Sequence, residues 1–328
     1  MKVGTAVAIW STSSGLIWGL DNWIYLTYQA IRYRFTDGKL ITEKLSRGEG
    51  QWGLTQDDDG RNYYSRAGGE VVSVGFQQPV QYGNLNLPGQ FSGEFQKIFP
   101  ITQVPDVQGG PRRVGENGSI NHFTGVAGQE VFRGDNLPDD LYGDLLTPEP
   151  VGRFIRRAKI QRSGAKTTLA NATPGTEFIR TRDVNFRPVQ TVTGPDGSLY
   201  IVDMHRGIIQ QGNWTRKGSY LREVIDRNGL DTNIGHGRIY RLVHKDRQPG
   251  KRPQLRDLPT ADLVQHISHR NGWWRDTAKK LIILRKDRQS VAPDLEKIAF
   301  DSKQPEQARI TALWSLEGIS AITEPLLI

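Results

Sequence analysis

The sequence predicts a mainly β protein with a helical tail: a partial β-propeller, about four blades of it visible, followed by an α-solenoid of HEAT or armadillo type. Three observations lead there. A unit of strand, Asp-bearing turn and aromatic-bearing strand recurs along the first 246 residues. The 36 glycines and 17 prolines suit a turn-rich sheet protein better than a helical bundle. Beyond Pro249 the apolar residues change from alternation to helical spacing. These signals divide the chain into a propeller over 1–246, a charged, proline-containing linker over 247–259, and helical repeats over 260–328. Both ends are expected to be cut. Blade sequence already begins at Trp18, and the last residues enter a further helix without a polar cap.

The clearest copy of the unit is residues 186–206, F-R-P-V-Q-T-V-T-G-P-D-G-S-L-Y-I-V-D-M-H-R. Val189 to Val192 alternates like a strand, and Gly194-Pro195-Asp196-Gly197 makes a tight turn, with proline presetting φ and glycine free to take positive φ. Ser198 to Val202 then reads as a β-forming strand fit for burial on both faces. It ends in Asp203-Met204-His205-Arg206, a carboxylate, an imidazole and a guanidinium at the rim of a buried sheet. Weaker copies run over 18–25 with the turn at Asp21-Asn22, over 52–64 with the turn at Asp59-Gly60, and over 123–132. Equating Tyr25, Tyr64, Phe132 and Tyr200 gives spacings of roughly 40 and then roughly 70 residues twice, so loops are inserted between blades.

The intervening segments follow in order. Residues 30–35 and 39–45 flank Asp37-Gly38 as a hairpin. T-Q-D-D-D-G over 55–60 has the look of a calcium loop, but threonine replaces the first carboxylate and a distal glutamate is lacking. It reads as a propeller turn rather than a metal site. Residues 77–119, rich in Gly, Pro, Gln and Asn, are either a cover over a binding surface or an unstructured insertion. An outer hairpin is expected over 154–161 with its turn at Ser163-Gly164, a second insertion over 207–234 that is helical around 220–227, and a closing strand over 237–243. In the tail, Thr260 and Asn271 read as N-caps, Ser290 precedes a helix to Phe300, and Pro305 opens another to Leu316.

Composition removes several function classes. Cysteine is absent, which excludes disulfides, thiolate metal sites, cysteine nucleophiles and C-x-x-C-H haem attachment within this chain. A net charge of +8 and a pI of 9.6 raise the question of nucleic acid. The basic residues are scattered, however, and the densest group, Arg153, Arg156, Arg157, Lys159 and Arg162, alternates with apolar residues like an outer strand. No nucleic-acid partner is expected. No run approaches ~18 apolar residues, so no membrane span is expected, and residues 1–10 are too brief a run for a signal peptide.

Taken together, W-G-L-D-N-W-I-Y (18–25), Q-W-G-L-T-Q-D-D-D-G-R (51–61), the run over 186–210, G-H-G-R-I-Y-R-L (235–242) and N-G-W-W-R-D-T-A (271–278) resemble the membrane-bound dehydrogenase family of planctomycete-type bacteria. The resemblance implies secreted or periplasmic multidomain proteins with a glucose/sorbosone-dehydrogenase-like propeller and HEAT-like repeats, many with a cytochrome c module. The function it implies is a quinoprotein-like sugar or alcohol dehydrogenase. Such a module uses pyrroloquinoline quinone and calcium and passes electrons to a cytochrome c domain, here outside this chain. The chain departs from the pattern in four ways: it has no haem motif, no cysteine near 125–132, histidine at 205 where an aromatic is expected, and none of the N-terminal blades that carry the quinoproteins' catalytic histidine. The other reading is a non-catalytic propeller-and-repeat scaffold that binds carbohydrate or protein.

Oxidising a hydroxyl in this way needs a base for its proton, cations for the quinone carbonyls and a concave floor for the cofactor. His205 is the candidate base and Asp203 its orienter or a metal ligand. Arg206 and Arg133 are candidate cationic clamps, and His122 is a further cofactor contact. Each has a plainer role: Asp203 capping turn amides, His205 bonding at the rim, the arginines pairing between blades, His122 and His236 on the surface. Asp21, Asp59 and Asp196 are expected as turn residues, Tyr25, Tyr64, Trp18, Trp23 and Trp52 as packing, and Trp273 and Trp274 as helical core or the seam with the propeller.

Overall fold

The computed structural model describes residues 15–45, 50–65, 76–77, 84–85, 89, 91–105, 110–164, 166–209 and 212–326. They form a mixed α/β structure of five antiparallel sheets and five α-helices. The apolar run over 1–10 and residues 66–75, which follow the second unit, lie outside the described residues.

The first sheet joins β1 (Ile17–Trp18), β2 (Ile24–Tyr25), β3 (Ile31–Thr36) and β4 (Lys39–Lys44) in chain order. Its hairpin turns at Asp37 and Gly38, both at positive φ, as the Asp-Gly pair predicts. The second sheet pairs β5 (Leu54–Gln56) with β6 (Asn62–Tyr64), and a small third pairs β7 (Phe76–Gln77) with β8 (Asn84–Leu85). The fourth contains β9 (Glu130–Val131), β10 (Leu145–Glu149), β11 (Phe154–Ser163) and β12 (Lys166–Asn171), with β13 (Ile179–Arg180) also on β11. The fifth contains β14 (Pro188–Thr193), β15 (Leu199–Asp203) and β16 (Arg238–Leu242).

Apolar clusters lie between consecutive large sheets. Tyr25, Leu54 and Tyr64 pack the first on the second. Tyr63, Val131, Leu145 and Phe154 join the second to the fourth. Phe132, Leu146, Ile155, Leu199 and Ile201 join the fourth to the fifth. Each such fully buried side chain contributes about 2 kcal/mol. Backbone bonds set the leading strands side by side: Gly128 N–H donates to Trp52 O (3.2 Å), and Thr191 N–H donates to Gly128 O (2.8 Å). Among the described residues the sheets close into no barrel or ring.

Four expectations change. Residues 123–129 are irregular, and the hairpin of the fourth sheet instead runs from β9 through 132–144 to β10. The hairpin with its turn at Ser163-Gly164 forms as expected between β11 and β12, but the basic 154–161 segment is not itself the outer strand: β12 lies outside it, and Arg156 and Arg157 are buried. Arg156 pairs with Glu177 at 2.5 Å, both side chains fully buried. β15 buries Leu199 and Ile201 but leaves Tyr200 and Val202 partly exposed, so one face of this strand, not both, is covered. The described part of 77–119 is a core filler: Phe95 is fully buried and stacks on Phe91 and Phe123.

In the second insertion, α1 (Tyr220–Asn228) starts on the Ser219 cap and stops at left-handed Gly229. The tail holds α2 (Thr260–Val264), α3 (Gly272–Leu284), α4 (Ala292–Phe300) and α5 (Glu306–Gly318), which share one apolar cluster around Leu263, Ile282, Leu295 and Leu316. Asn271 is the N-cap of α3, its side chain accepting Trp273 N–H at 2.9 Å. Thr260 falls inside α2 instead of capping it, and its hydroxyl bonds Asp287 (2.8 Å). Pro305 takes the cap position of α5. Among the described residues no helix is long and apolar enough to cross a membrane.

α3 lies across four sheet turns. Asn271 Nδ2 donates to Gly194 O (2.9 Å) and Trp274 Nε1 to Pro195 O (2.7 Å). Gly272 N–H donates to Arg133 O (2.8 Å), and a Cβ at Gly272 would meet Arg133 at 2.9 Å, so only glycine allows this approach. Arg275 pairs with Asp58, and Lys279 Nζ donates to Gly19 O (2.8 Å) and Leu20 O (2.6 Å). Residues 271, 275 and 279 share one helix face and reach three of the turns, and the adjoining pair Gly272 and Asp276 reaches the fourth at Arg133. Burial pulls the Lys279 pKa down to about 7, against the pull of Asp276 and Asp21.

Candidate functional site

Three of the sheets carry the same polar device. In the first, Tyr25 Oη donates to Asp21 (2.6 Å) and Arg32 lies 3.4 Å from the same carboxylate. In the second, Tyr63 Oη donates to Asp57 (2.8 Å), which also pairs with Arg162. In the fifth, Tyr200 Oη donates to Asp196 (3.1 Å), and Arg241, opposite Tyr200 in register, reaches that carboxylate at 3.3 Å. Asp21 and Asp196 are therefore turn residues as expected. In the second sheet the equivalent is Asp57, while Asp59 pairs with Arg61 (2.5 Å) and Arg162. The carboxylates of the 55–60 loop are thus held by protein cations and phenols.

Asp203 and His205 do come together. Asp203 is 1 % exposed at the end of β15. Its Oδ1 accepts the backbone N–H of Arg187 (2.7 Å) and of His205 (2.7 Å), and its Oδ2 lies 3.1 Å from His205 Nδ1. The carboxylate caps turn amides and orients the imidazole at once. A carboxylate at Nδ1 places the ring proton there and leaves the Nε2 lone pair outward. Nε2 has no hydrogen-bond partner among the described residues, and the side chain is 11 % exposed. His205 holds φ at 46°, a left-handed conformation that costs about 1–2 kcal/mol for a residue with a Cβ. Asn233 Nδ2 fixes its carbonyl (2.6 Å), and Asp183 stands 3.8 Å from Nδ1.

The other predicted residues divide. Arg206 adjoins the dyad, and its guanidinium bonds no described residue; its carbonyl accepts Arg187 Nε (2.9 Å). Arg187 also donates to Pro150 O (2.7 Å), linking the dyad to the 150–153 turn. Arg133 sits elsewhere. Its N–H bonds Thr193 at the far end of the β14–β15 hairpin, five residue steps or roughly 17 Å from the Asp203 end. Its guanidinium pairs with Asp58 (3.0 Å) and Asp276 (2.5 Å), and these carboxylates raise its pKa above the ordinary value despite burial. His122 lies in a loop beside Asn121, with Nε2 3.4 Å from Arg113. His236 is exposed. Trp274 is at the seam with the sheets, as the sequence allowed.

Glu149 was not foreseen. It is fully buried at the end of β10, accepts the N–H groups of Thr124 (3.0 Å), Gly125 (3.0 Å) and Val151 (3.1 Å), and burial pushes its pKa up to about 7. Its sequence signal is a glutamate closing an otherwise uncharged strand, L-L-T-P-E, ahead of a Pro-Val-Gly turn.

The resemblance implies pyrroloquinoline quinone with calcium. The predicted cation set does not assemble for it, because Arg133 is held by two carboxylates at the opposite end of the fifth sheet from His205. No curated protein matches the chain. Among solved structures, the chain is similar to a protein described as an oxidoreductase (glucose dehydrogenase) from Thermus thermophilus, at 14% identity, over 64% of this chain and 83% of that one, with a TM-score of 0.29. A TM-score at that level carries no argument about fold or chemistry. The model of the domain of unknown function DUF7133 matches residues 10–246, all five sheets and the dyad included, and the chain belongs to that family.

Proposed function

We propose that the chain is a dehydrogenase module for a sugar or alcohol hydroxyl, with His205 as the proton acceptor. The observation that carries the reading is the buried Asp203 carboxylate on His205 Nδ1, which leaves the Nε2 lone pair free to accept a proton. In alcohol oxidation the hydroxyl proton passes to such a base while hydride passes from the carbon to a two-electron acceptor, here a redox cofactor or dye supplied from outside the chain. Asp203 stabilises the imidazolium so formed, and Arg206 offsets developing negative charge on the substrate oxygen. The strained backbone at His205 supports the reading, since such strain concentrates at working residues. A quinone bound beside His205 would need a clamping cation other than Arg133.

The apolar clusters between consecutive sheets and the repeated Asp–Tyr–Arg device support a propeller-type array, with α2 to α5 as HEAT-like pairs. The periplasmic or extracellular location and a cytochrome c acceptor outside this chain rest on the sequence resemblance.

The test is purified full-length protein given aldoses and simple alcohols with an artificial dye as acceptor, with and without pyrroloquinoline quinone and calcium. Turnover is expected, lost in His205→Gln and Asp203→Asn at unchanged far-UV circular dichroism. Absence of turnover and of any cofactor absorbance change in folded protein would favour the second reading, a non-catalytic scaffold. That reading draws on the closed pairing of Arg133, Asp58, Arg275 and Asp276.

A further inference from the structure

At the opposite end of the sheets from His205, two adjoining clefts of about 330 and 450 Å³ open between the sheets and the helices, and Tyr142 and Gln307 line both. These volumes lie in the usual range of small-molecule sites, which gather at seams of this kind. The ionic groups on the walls already have protein partners. Asp58 is held by Arg133 and Arg275, Asp144 by Arg157 and Lys159, and Asp139 by Arg270 and Arg247. Tyr142 Oη donates to Asp58 (2.6 Å) and accepts from Arg275 (3.0 Å), and burial beside Asp58 pushes its pKa up to about 12, so it stays a neutral phenol.

A charged ligand would need an unpaired counter-ion to offset its desolvation, and the groups named above are already balanced. A hydroxyl would not, because it donates to the spare lone pairs of a paired carboxylate and accepts from a guanidinium or an amide. Gln307 adds a half-buried carboxamide with no hydrogen bond to any described residue, on the first turn of α5, where backbone N–H groups lack helical acceptors. Ile160, Pro305 and the Tyr142 ring supply apolar surface for C–H faces.

We propose that this double cleft binds a neutral, hydroxyl-rich ligand of mono- or disaccharide size, at a site separate from His205 and independent of the chemistry assigned to it. The cleft holds such a ligand against the seam of sheets and helices, so occupancy also stabilises the docking of the tail.

The experiment is titration of the full chain with glucose and maltose as neutral probes, and with glucuronate and lysine as charged ones, by calorimetry and tryptophan fluorescence. Trp274 reports because His269, on the wall of the larger cleft, stacks on it at 5.3 Å. Saturable binding of a neutral sugar is expected, weaker by roughly fivefold to tenfold in Gln307→Ala, whose thermal midpoint is unchanged. His205→Ala binds with wild-type affinity, which separates this site from the dyad. Failure of both neutral sugars to saturate, equal affinity in Gln307→Ala, loss of binding in His205→Ala, or tighter binding of glucuronate or lysine would each overturn the proposal.

Discussion

Arg133 and Asp276 meet at 2.5 Å across the seam between the sheets and α3, 143 residues apart in the chain. Together with Asp58 at 3.0 Å on the other side of the guanidinium, this pair turns a candidate cofactor clamp into the joint between two parts of the molecule.

Arg133→Ala strands two mostly buried carboxylates, and the expected loss is about 3 kcal/mol. Urea unfolding measures it. Part of the loss returns in the double variant with Asp276→Ala, a coupling above about 1 kcal/mol. Equal and additive losses in the two single variants would show that the pair is not a unit.

His205 sits at φ 46°, so two truncations separate strain from chemistry. Both His205→Gly and His205→Ala remove the imidazole, but glycine takes this backbone conformation freely. The glycine variant is expected to be more stable than the alanine variant by about 1 kcal/mol. Thermal unfolding in parallel decides it, and the reverse order would mean that the loop relaxes away from the left-handed region.

Glu149 makes stability depend on pH. Its carboxyl titrates from the ordinary value of 4.5 when unfolded and at about 7 when folded, so the folded state holds the proton more tightly. The stabilisation is complete below pH 4.5, declines as pH rises towards 7, and is gone above it; the full span is about 3 kcal/mol. Glu149→Gln is expected to flatten that slope. Denaturant midpoints measured across the window test this, and a wild-type profile without the decline would contradict it.

The three tyrosines of the repeated device make the same bond to an aspartate at different depths of burial. Tyr25→Phe, Tyr63→Phe and Tyr200→Phe are each expected to cost about 1 kcal/mol, with a larger loss for the buried Tyr25 and Tyr63 than for half-exposed Tyr200. Chemical denaturation of the three variants gives the ranking.

What the sequence showed was local. Asp37-Gly38, Gly194 to Gly197, the Asn271 cap and the Asp203–His205 spacing are short-range signals, and each appears where the residues place it. The 55–60 turn misled because three consecutive aspartates compete for one role. There the tyrosine lies six residues on from Asp57, whereas four separate Asp21 from Tyr25 and Asp196 from Tyr200. The partners of Arg133 and the burial of Glu149 were not legible, because both depend on which distant segments a turn meets. The same holds for the 123–129 segment, read as part of a weaker copy of the repeated unit, where Gly125 and Gly128 serve close approaches to Glu149 and Trp52.

From Asn271 to Lys279, α3 rises only about 12 Å. Within that length it bonds the turns at 19–20, 58, 133 and 194–195, and so works as a ruler for their separation. Lengthening any one of those turns by a residue would put its carbonyl or carboxylate off the scale that the helix sets. Among the described residues the other end of the sheets has no such gauge, and it carries the long 207–234 excursion. Variation in loop length among proteins built this way should therefore accumulate on the His205 side, so that new specificities can be added there without disturbing the docked tail.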